Sequence, residues 1–221
     1  MKQLADGVHQ LRGFPPNAMN VYLVGDVLVD AATRHAARRI FAELAGRALS
    51  AHVITHAHPD HQGSSHAVCE RFGVPLWCGE ADRPAMETGR IAERQPSHPI
   101  NNLSERAFAG PGHPVARALR EGDAVADFAV LDTPGHSAGH IALWRERGRV
   151  LILGDVLFGC HPLTGLPGLH EPPGFFTPDP ARNRESARTL ASLEPELVLF
   201  GHGPPLRDAR AFGRFVASLD C

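Results

Sequence analysis

Four metal-binding side chains fall within the six-residue segment HAHPDH, at positions 56 to 61. They are His56, His58, Asp60 and His61. The first two alternate along extended backbone, so they share a face and can reach one ion together. Pro59 then redirects the chain, which lets the other two aim elsewhere. Imidazole and carboxylate groups suit zinc, manganese or iron better than calcium or magnesium. This one turn can therefore supply ligands to two metal sites.

Three later polar residues also follow apolar runs that predict strands. His136 lies in the turn TPGHSAG, Asp155 follows the run VLILG, and His202 follows LVLFG. Each has a glycine beside it, which permits an unusual backbone angle. A single histidine or aspartate after a strand is most often a turn residue. Four such strand ends in one chain indicate instead that loops at the sheet ends build a shared site.

Regular elements must position these residues. The apolar stretch 49–55 predicts a buried strand that ends at the first metal turn, and a helix is predicted at 62–72. Thr33 is expected to be the N-cap of a helix that runs to about residue 45. The second half predicts strands at 128–131, 140–144, 149–153 and 196–200, and helices at 180–193 and 208–219. Two β-rich halves that each carry helices predict two face-packed sheets with helices outside.

The length predicts a single domain over residues 1–221. Residues 80–122 contain Gly, Pro and charged residues but few large apolar ones, which predicts an insertion or lid packed on the core. Residues 159–180 form a long proline-rich stretch, and loops of that length are usually functional. We expect that stretch to line a pocket with an apolar wall made of Leu163, Leu166, Leu169, Phe175 and Phe176.

Composition excludes several classes of protein. The net charge of -2 gives no electrostatic case for a nucleic-acid partner. No apolar run approaches the roughly 18 residues of a membrane span, and the first residues lack a signal-peptide pattern, so a cytoplasmic protein is expected. The 4 cysteines are widely spaced without a CxxC pair, which excludes a zinc ribbon. A small-molecule substrate is the expected partner.

The order HxHxDH, TPGHS, GD after an apolar strand and GHG resembles the metallo-β-lactamase superfamily of metal-dependent hydrolases. The resemblance spans residues 20–202. It implies an α+β fold, a four-layer αββα sandwich of two mixed sheets with the site at one edge between them. The implied ligand sets are His56, His58 and His136 for one ion and Asp60, His61 and His202 for the other, bridged by Asp155.

The resemblance also implies a chemistry. Two divalent ions about 3.5–4 Å apart can share a water and convert it to hydroxide near neutral pH. Zinc is the first expectation, with iron or manganese as alternatives. Asp60 has a second, catalytic role to play, because its free oxygen could orient the hydroxide or pass a proton to the leaving group. The expected reaction is hydrolysis of an ester, thioester or lactone.

Comparison with two members of the superfamily, the true β-lactamases and glyoxalase II, restricts the expected substrate. Asp155 stands where true β-lactamases lack an acidic residue, which argues against antibiotic hydrolysis. Glyoxalase II is similar through the metal motifs and the segment GDVLF at 154–158. However, this chain has little room after His202 for the helical domain with which that enzyme binds its substrate.

Further residues are expected around the metals or the substrate. Asp30 could orient a ligand imidazole, and His140 either contacts the site or is a satisfied strand-end histidine. The candidates for substrate contact are His161, His170, Phe175 and Phe176. Mononuclear iron persulfide dioxygenases of the same fold resemble the chain in size and in many of the same residues, so they are the leading alternative. A phosphodiesterase and a non-catalytic metal-binding protein are the others.

Overall fold

The first half of the chain forms a seven-stranded sheet whose strand order follows the sequence. A computed structural model describes residues 1–219. The strands are β1 (Lys2–Ala5), β2 (Val8–Gln10), β3 (Tyr22–Val24), β4 (Val27–Val29), β5 (Ala51–Val53), β6 (Leu76–Gly79) and β7 (Val115–Leu119). Neighbouring strands from β1 to β4 pair antiparallel, and those from β4 to β7 pair parallel.

The second half forms a five-stranded sheet and a separate hairpin. Its strands are β8 (Ala124–Val125), β9 (Phe128–Asp132), β10 (Ile141–Arg145), β11 (Val150–Gly154), β12 (Phe158–Cys160), β13 (Pro167–His170) and β14 (Leu197–Phe200). The sheet has the order β14-β11-β10-β9-β8, and only its β11–β14 pair is parallel. Strands β12 and β13 pair with each other as the hairpin.

Helices cover the outer faces of both sheets. They are α1 (Ala37–Glu43), α2 (Pro59–Gln62), α3 (Ser65–Phe72), α4 (Arg83–Thr88), α5 (Pro99–Phe108), α6 (Pro180–Ser192) and α7 (Ala209–Ala217). Ile40 of α1 and Val68 of α3 pack on the outer face of the first sheet, and Leu190 of α6 and Phe212 of α7 pack on the second. A third apolar cluster, drawn from strands of both sheets, fills the space between them. The predicted αββα sandwich is therefore confirmed.

Two predicted helices differ from those observed. Helix α1 begins at Ala37 and has no side-chain cap, so Thr33 is not its N-cap. Instead, the Thr33 carbonyl accepts a hydrogen bond from the Ala36 amide in a preceding turn. The helix predicted at 62–72 begins at Ser65, as α3, and Gln62 is instead the last residue of the short helix α2. Between the two helices Gly63 packs closely against backbone: a Cβ there would lie 2.3 Å from the Arg34 nitrogen.

Two segments contain strands that the sequence did not predict. Residues 80–122 contain α4, α5 and strand β7, which is the edge strand of the first sheet. The charged Arg117 interrupts the apolar pattern of β7, so the strand is not recognisable from the sequence. The proline-rich stretch 159–180 is not one loop, since it contains most of the β12–β13 hairpin and a short 3₁₀ helix at Gly174–Phe176. Both segments border the site described below.

Cys69, Cys78 and Cys160 are buried free thiols, and Cys221 lies outside the described residues. No helix within residues 1–219 has the length and apolar character needed to cross a bilayer.

Candidate metal centre

The seven predicted ligands converge from the ends of four strands. His56, His58, Asp60 and His61 follow β5, and the last two lie on the short helix α2. The other three, His136, Asp155 and His202, follow β9, β11 and β14. The strand-end argument made from the sequence therefore agrees with the geometry, because all four strand ends meet.

One carboxylate oxygen, Oδ2 of Asp155, lies at the centre of this cluster. Its distances to histidine Nε2 atoms are 3.8 Å for His56, 3.3 Å for His61, 3.6 Å for His136 and 3.1 Å for His202. The Nε2 atom of His202 also lies 3.2 Å from Oδ2 of Asp60. The imidazoles thus point their Nε2 atoms toward one carboxylate from several sides.

The ligand atoms form three overlapping groups whose members lie within 4.8 Å of one another. The groups are His56, His58 and His136; His56, His61 and Asp155; and Asp60, His61 and His202. The first and third coincide with the two ligand sets implied by the sequence resemblance, and the second connects them through Asp155. Each of the three groups has donor atoms close enough together to hold a metal ion.

The chemistry of these donors fits cations. The Nε2 atoms of His56 and His136 and the Oδ1 atom of Asp155 are buried without a hydrogen-bond partner. Buried polar atoms normally have a partner, so unpartnered ones need an explanation. Coordination of a metal ion by these lone pairs satisfies all three.

Asp30 controls the orientation of two of the imidazoles. Its carboxylate accepts hydrogen bonds from Nδ1 of His61 at 2.9 Å and from the amide and hydroxyl of Thr55 at 2.8 to 3.1 Å. Because the Thr55 hydroxyl donates to Asp30, it accepts from Nδ1 of His56, at 3.1 Å. In the neutral form of either ring the proton is therefore on Nδ1, and Nε2 is the nitrogen that can bind a metal. Asp30 adopts a left-handed backbone with φ 59°, a conformation that Asp tolerates better than most residues.

The imidazoles of His136 and His202 are also held in place by hydrogen bonds from Nδ1. Nδ1 of His136 donates to the hydroxyl of Thr177 at 3.0 Å, because that hydroxyl itself donates to the carbonyl of Pro173 at 3.1 Å. Nδ1 of His202 donates to the carbonyl of Ala18. When each ring is neutral, Nε2 is consequently the nitrogen that can bind a metal. Sequence reasoning missed Thr55 and Thr177, since a threonine beside a histidine or a proline carries no distinctive signal.

His140 contacts the centre without joining its ligand groups. Its Nε2 accepts a hydrogen bond from the Asp155 amide at 3.0 Å, and its Nδ1 lies 2.7 Å from the hydroxyl of Thr133. Its ring stacks on His56 with centroids 4.9 Å apart. Burial lowers the pKa of His140 to about 3, which keeps the neutral ring that this hydrogen bond requires. The structure therefore favours a His140 that contacts the site over one that is only a satisfied strand-end histidine.

Asp82, which sequence reasoning also missed, ties two ligand-bearing loops together. Its Oδ2 accepts from the Ala57 amide at 2.9 Å and from the Ser137 hydroxyl at 2.6 Å. Its Oδ1 accepts from the Gly139 amide at 2.8 Å. Ala57 lies between His56 and His58, so this buried carboxylate fixes their loop against the loop that follows β9. The available signal was its position just after β6, since Asp82 too follows a strand end.

Glycines allow the loops to approach Asp155 and His202. Gly154 has φ 56°, so the predicted unusual angle is present there. Gly201 is needed for a different reason: a Cβ at this position would lie 2.0 Å from Oδ1 of Asp155. The loop is held from the other sheet by Asn20, whose Nδ2 donates to the carbonyls of Phe200 at 2.9 Å and Gly203 at 2.8 Å.

The two halves of the centre differ in their affinity for protons. Burial lowers the pKa of His58 to about 4 and those of His56 and His136 well below the usual value. Burial also opposes charge on His61, but the carboxylates of Asp155 and Asp30 outweigh it and raise its pKa to about 10. The pKa of His202 is likewise raised despite burial, mainly by Asp155.

A pH dependence of metal binding follows from this difference. At neutral pH without metal, His61 and His202 carry protons that must leave before either nitrogen can coordinate, whereas His56 and His136 are already neutral. We expect binding at the His61 side to release about two protons and to strengthen as pH rises toward 10, and binding at the His56 side to release none. Calorimetric titration with Zn²⁺ in buffers of different ionisation enthalpy measures the release. Equal release at both steps would contradict this assignment.

A cavity of about 240 Å³ opens onto the ligands. His58, Asp60, His136, Asp155 and His202 line its base. The other walls include apolar Pro59, Phe158, Pro162, Pro173 and Phe176, together with Gln95, Ser104, Cys160 and His161. No arginine or lysine belongs to this lining among the described residues. A larger cavity of about 510 Å³, lined by Arg145, Arg147 and Arg207, contains none of the predicted site residues.

The predicted substrate contacts divide into two sets. His161 and Phe176 line the cavity. His170 instead packs against His161 with ring centroids 5.0 Å apart, and Phe175 stacks on His98 at 5.2 Å. The predicted apolar wall is wrong for the leucines, because Leu163 and Leu166 are 88% and 66% exposed and Leu169 packs near α6 and α7. The turn of the β12–β13 hairpin carries the first two into solvent.

Comparison with known proteins agrees with this geometry. Residues 15–202 match the family model described as the metallo-beta-lactamase superfamily. The chain is 32% identical over 238 residues to the probable metallo-hydrolase YflN of Bacillus subtilis (strain 168), covering 92% of this chain and 86% of that protein. It is 30% identical to a hydroxyacylglutathione hydrolase of Bdellovibrio bacteriovorus, covering 69% of this chain but only 48% of that enzyme.

Solved structures share the fold. The metallo-beta-lactamase family protein TTHA1429 of Thermus thermophilus superposes with a TM-score of 0.71 at 26% identity, covering 97% of this chain and 80% of that one. TTHA1623, crystallised in a di-iron-bound form, superposes with a TM-score of 0.65 at 32% identity, covering 89% of this chain and 94% of that one.

Proposed function

This chain belongs to the metallo-beta-lactamase superfamily, and we propose that it is a binuclear metal-dependent hydrolase that cleaves an ester, thioester or lactone of a small molecule. One observation carries the proposal: four Nε2 atoms lie within 3.8 Å of Oδ2 of Asp155. Structural metal sites are usually closed, whereas these donors line the base of an open cavity, which favours catalysis. The 92% coverage by a probable metallo-hydrolase supports the same class.

The ligand sets follow from the groups of donor atoms. His56, His58 and His136 would hold one ion, and Asp60, His61 and His202 the other, with Asp155 shared between them. When bound, two such ions supply Lewis acidity, which activates water for attack and polarises the substrate carbonyl. Imidazole and carboxylate donors favour zinc, and the di-iron-bound form of TTHA1623 supports iron as an alternative.

The residues of the chain have distinct tasks in this proposal. Asp60 is only partly buried and lines the cavity, so one of its oxygens would face the substrate. That oxygen would orient the attacking water or pass a proton to the leaving group. Asp30 and Thr177 would keep the imidazoles fixed during the reaction, through the Nδ1 contacts described above.

The cavity favours an uncharged acyl group as the substrate portion near the metals. Phe158 and Phe176 give it an apolar wall, and the described lining contains no arginine or lysine to hold a phosphate. This argues for a carboxylic ester, thioester or lactone over a phosphodiester. The hydroxyacylglutathione hydrolase relative supports a thioester, although the chain covers about half of that enzyme.

Residues 80–122 are proposed to act as a lid on this cavity. Gln95 and Ser104 from this segment belong to the lining. Both polar atoms of the Gln95 side chain are buried without a partner. A carboxamide left unpaired in a cavity can bind a polar group of the substrate, which would orient the acyl portion toward the metals.

The proposal is tested by metal analysis combined with a substrate panel. Protein purified without added metal is analysed for metal per chain, then loaded with Zn²⁺ and assayed on a nitrophenyl ester, a thioester, a lactone and a nitrophenyl phosphodiester. We expect two ions per chain and turnover of at least one acyl substrate in preference to the phosphodiester. His58→Ala should lose this activity while remaining folded by circular dichroism.

Three outcomes would overturn the proposal. One iron per chain with oxygen uptake on a persulfide would identify a dioxygenase. Turnover of the phosphodiester alone would remove the acyl assignment. No turnover of any substrate by fully loaded protein would support the non-catalytic alternative.

A further inference from the structure

Outside the seven-ligand cluster, His66, Glu70 and His113 each present a ligand atom within 4.8 Å of the others. We propose that these three side chains form a third cation site, one that binds Zn²⁺ and is independent of the catalytic centre. None of the three lines the cavity that opens onto the centre. The site would join helix α3 to the chain segment between α5 and β7.

Local structure brings the three side chains together. His66 and Glu70 lie one turn apart on α3, so they share one face of that helix. His113 lies just before β7, and its amide donates to the carbonyl of Met86 at 2.9 Å, which fixes its backbone. Gly110 lets the same segment pack closely against Gly63, which lies between α2 and α3, since a Cβ at Gly110 would lie 2.1 Å from the Gly63 carbonyl oxygen. The ligand set is thus held by packed backbone on both sides.

The distance between the two imidazoles suits a shared ion. Nδ1 of His66 lies 3.1 Å from Nδ1 of His113, with the rings at 70° to each other. Two nitrogens bound tetrahedrally to one Zn²⁺, each about 2.0–2.1 Å away, lie roughly 3.3 Å apart. A neutral pair can also share one proton at this distance, but the Glu70 carboxylate, which lies within 4.8 Å of both nitrogens, favours a cation between the three. Zn²⁺ uses both nitrogens and the carboxylate.

The surroundings favour the neutral histidine that a metal requires. Partial burial and the neighbouring His66 lower the pKa of His113. Glu70 is exposed, so the fourth coordination position would face solvent and take a water molecule. Imidazole and carboxylate donors select a transition metal over calcium or magnesium. The ion would act as a clamp between α3 and residues 109–114.

The experiment titrates Zn²⁺ into full-length protein whose catalytic centre has been loaded beforehand. Calorimetry should show one further equivalent bound by the wild type. Glu70→Gln should weaken this step at least about tenfold, and His66→Gln with His113→Gln should abolish it. Added Zn²⁺ should raise the melting temperature of loaded wild-type protein but not that of the double variant. His35→Gln, which changes an exposed histidine elsewhere, is the matched control and should behave as wild type.

The outcome separates this site from the catalytic one. All variants should keep two ions per chain in the catalytic centre and should keep hydrolytic activity if the proposed function is correct. The third site is overturned if loaded wild type takes up no further Zn²⁺, or if Glu70→Gln and the double variant take it up with unchanged affinity. Because Glu70 is exposed, its substitution does not endanger folding.

Discussion

Asp155→Asn should lower kcat/KM by at least about a thousand-fold without unfolding the protein. The side chain keeps its shape but loses the negative charge that lies 3.1 to 3.8 Å from four imidazole nitrogens. In place of one carboxylate oxygen, the amide presents either hydrogens or a weaker neutral acceptor to a metal. We therefore expect the variant to retain at most one ion per chain after dialysis.

Activity, metal content and circular dichroism should be measured together on this variant. Asp26→Asn is the matched control, because Asp26 is an exposed aspartate in the turn between β3 and β4. It should retain both ions and normal activity. If Asp155→Asn binds two ions as tightly as the wild type, Asp155 does not bridge them and the proposed ligand assignment is wrong.

Asp82→Asn should destabilise the protein by about 2–3 kcal/mol. The buried carboxylate accepts hydrogen bonds from the Ala57 amide, the Ser137 hydroxyl and the Gly139 amide. Asparagine has only one acceptor oxygen. Its amide group would replace the other carboxylate oxygen and would place its hydrogens against a hydrogen-bond donor. Because the lost bonds hold the loops of His58 and His136, metal affinity should fall about 10- to 100-fold as well.

Chemical denaturation of the metal-free protein measures the first effect, and competition with a chelator measures the second. Glu80→Gln is the control, since Glu80 lies two residues away and pairs with Arg120 on the surface. Exposed pairs contribute at most about 1 kcal/mol. Equal stability of Asp82→Asn and wild type would show that the two loops are held by other contacts.

That these seven residues come together could be predicted because their signal is local. His56 and His58 are two positions apart in the turn that follows β5, and His136, Asp155 and His202 follow apolar strands. Such patterns need only a few neighbouring residues. The αββα fold could be anticipated for the same reason, since its strands are apolar and its motifs keep a recognisable order.

Asp30 and His140 were predicted as supporting residues, but Asp82 and Thr177 were not, because their partners are distant in the sequence. Asp82 contacts residues 25 and 55 positions away, and Thr177 contacts His136 across 41 positions. Edge strand β7 escaped prediction because Arg117 interrupts its apolar pattern. Strand β13 begins with Pro167 and Gly168, two residues that are rare within strands.

The Asp30 carboxylate receives a hydrogen bond directly from His61 and another through Thr55 from His56. These imidazoles belong to opposite halves of the centre. A cation bound to one ring would draw electron density from it. Because both rings share the Asp30 carboxylate as acceptor, the other ring would then experience a different charge. Occupancy of the two halves should consequently be cooperative, and by thermodynamic reciprocity each cation would alter the affinity for the other by the same factor.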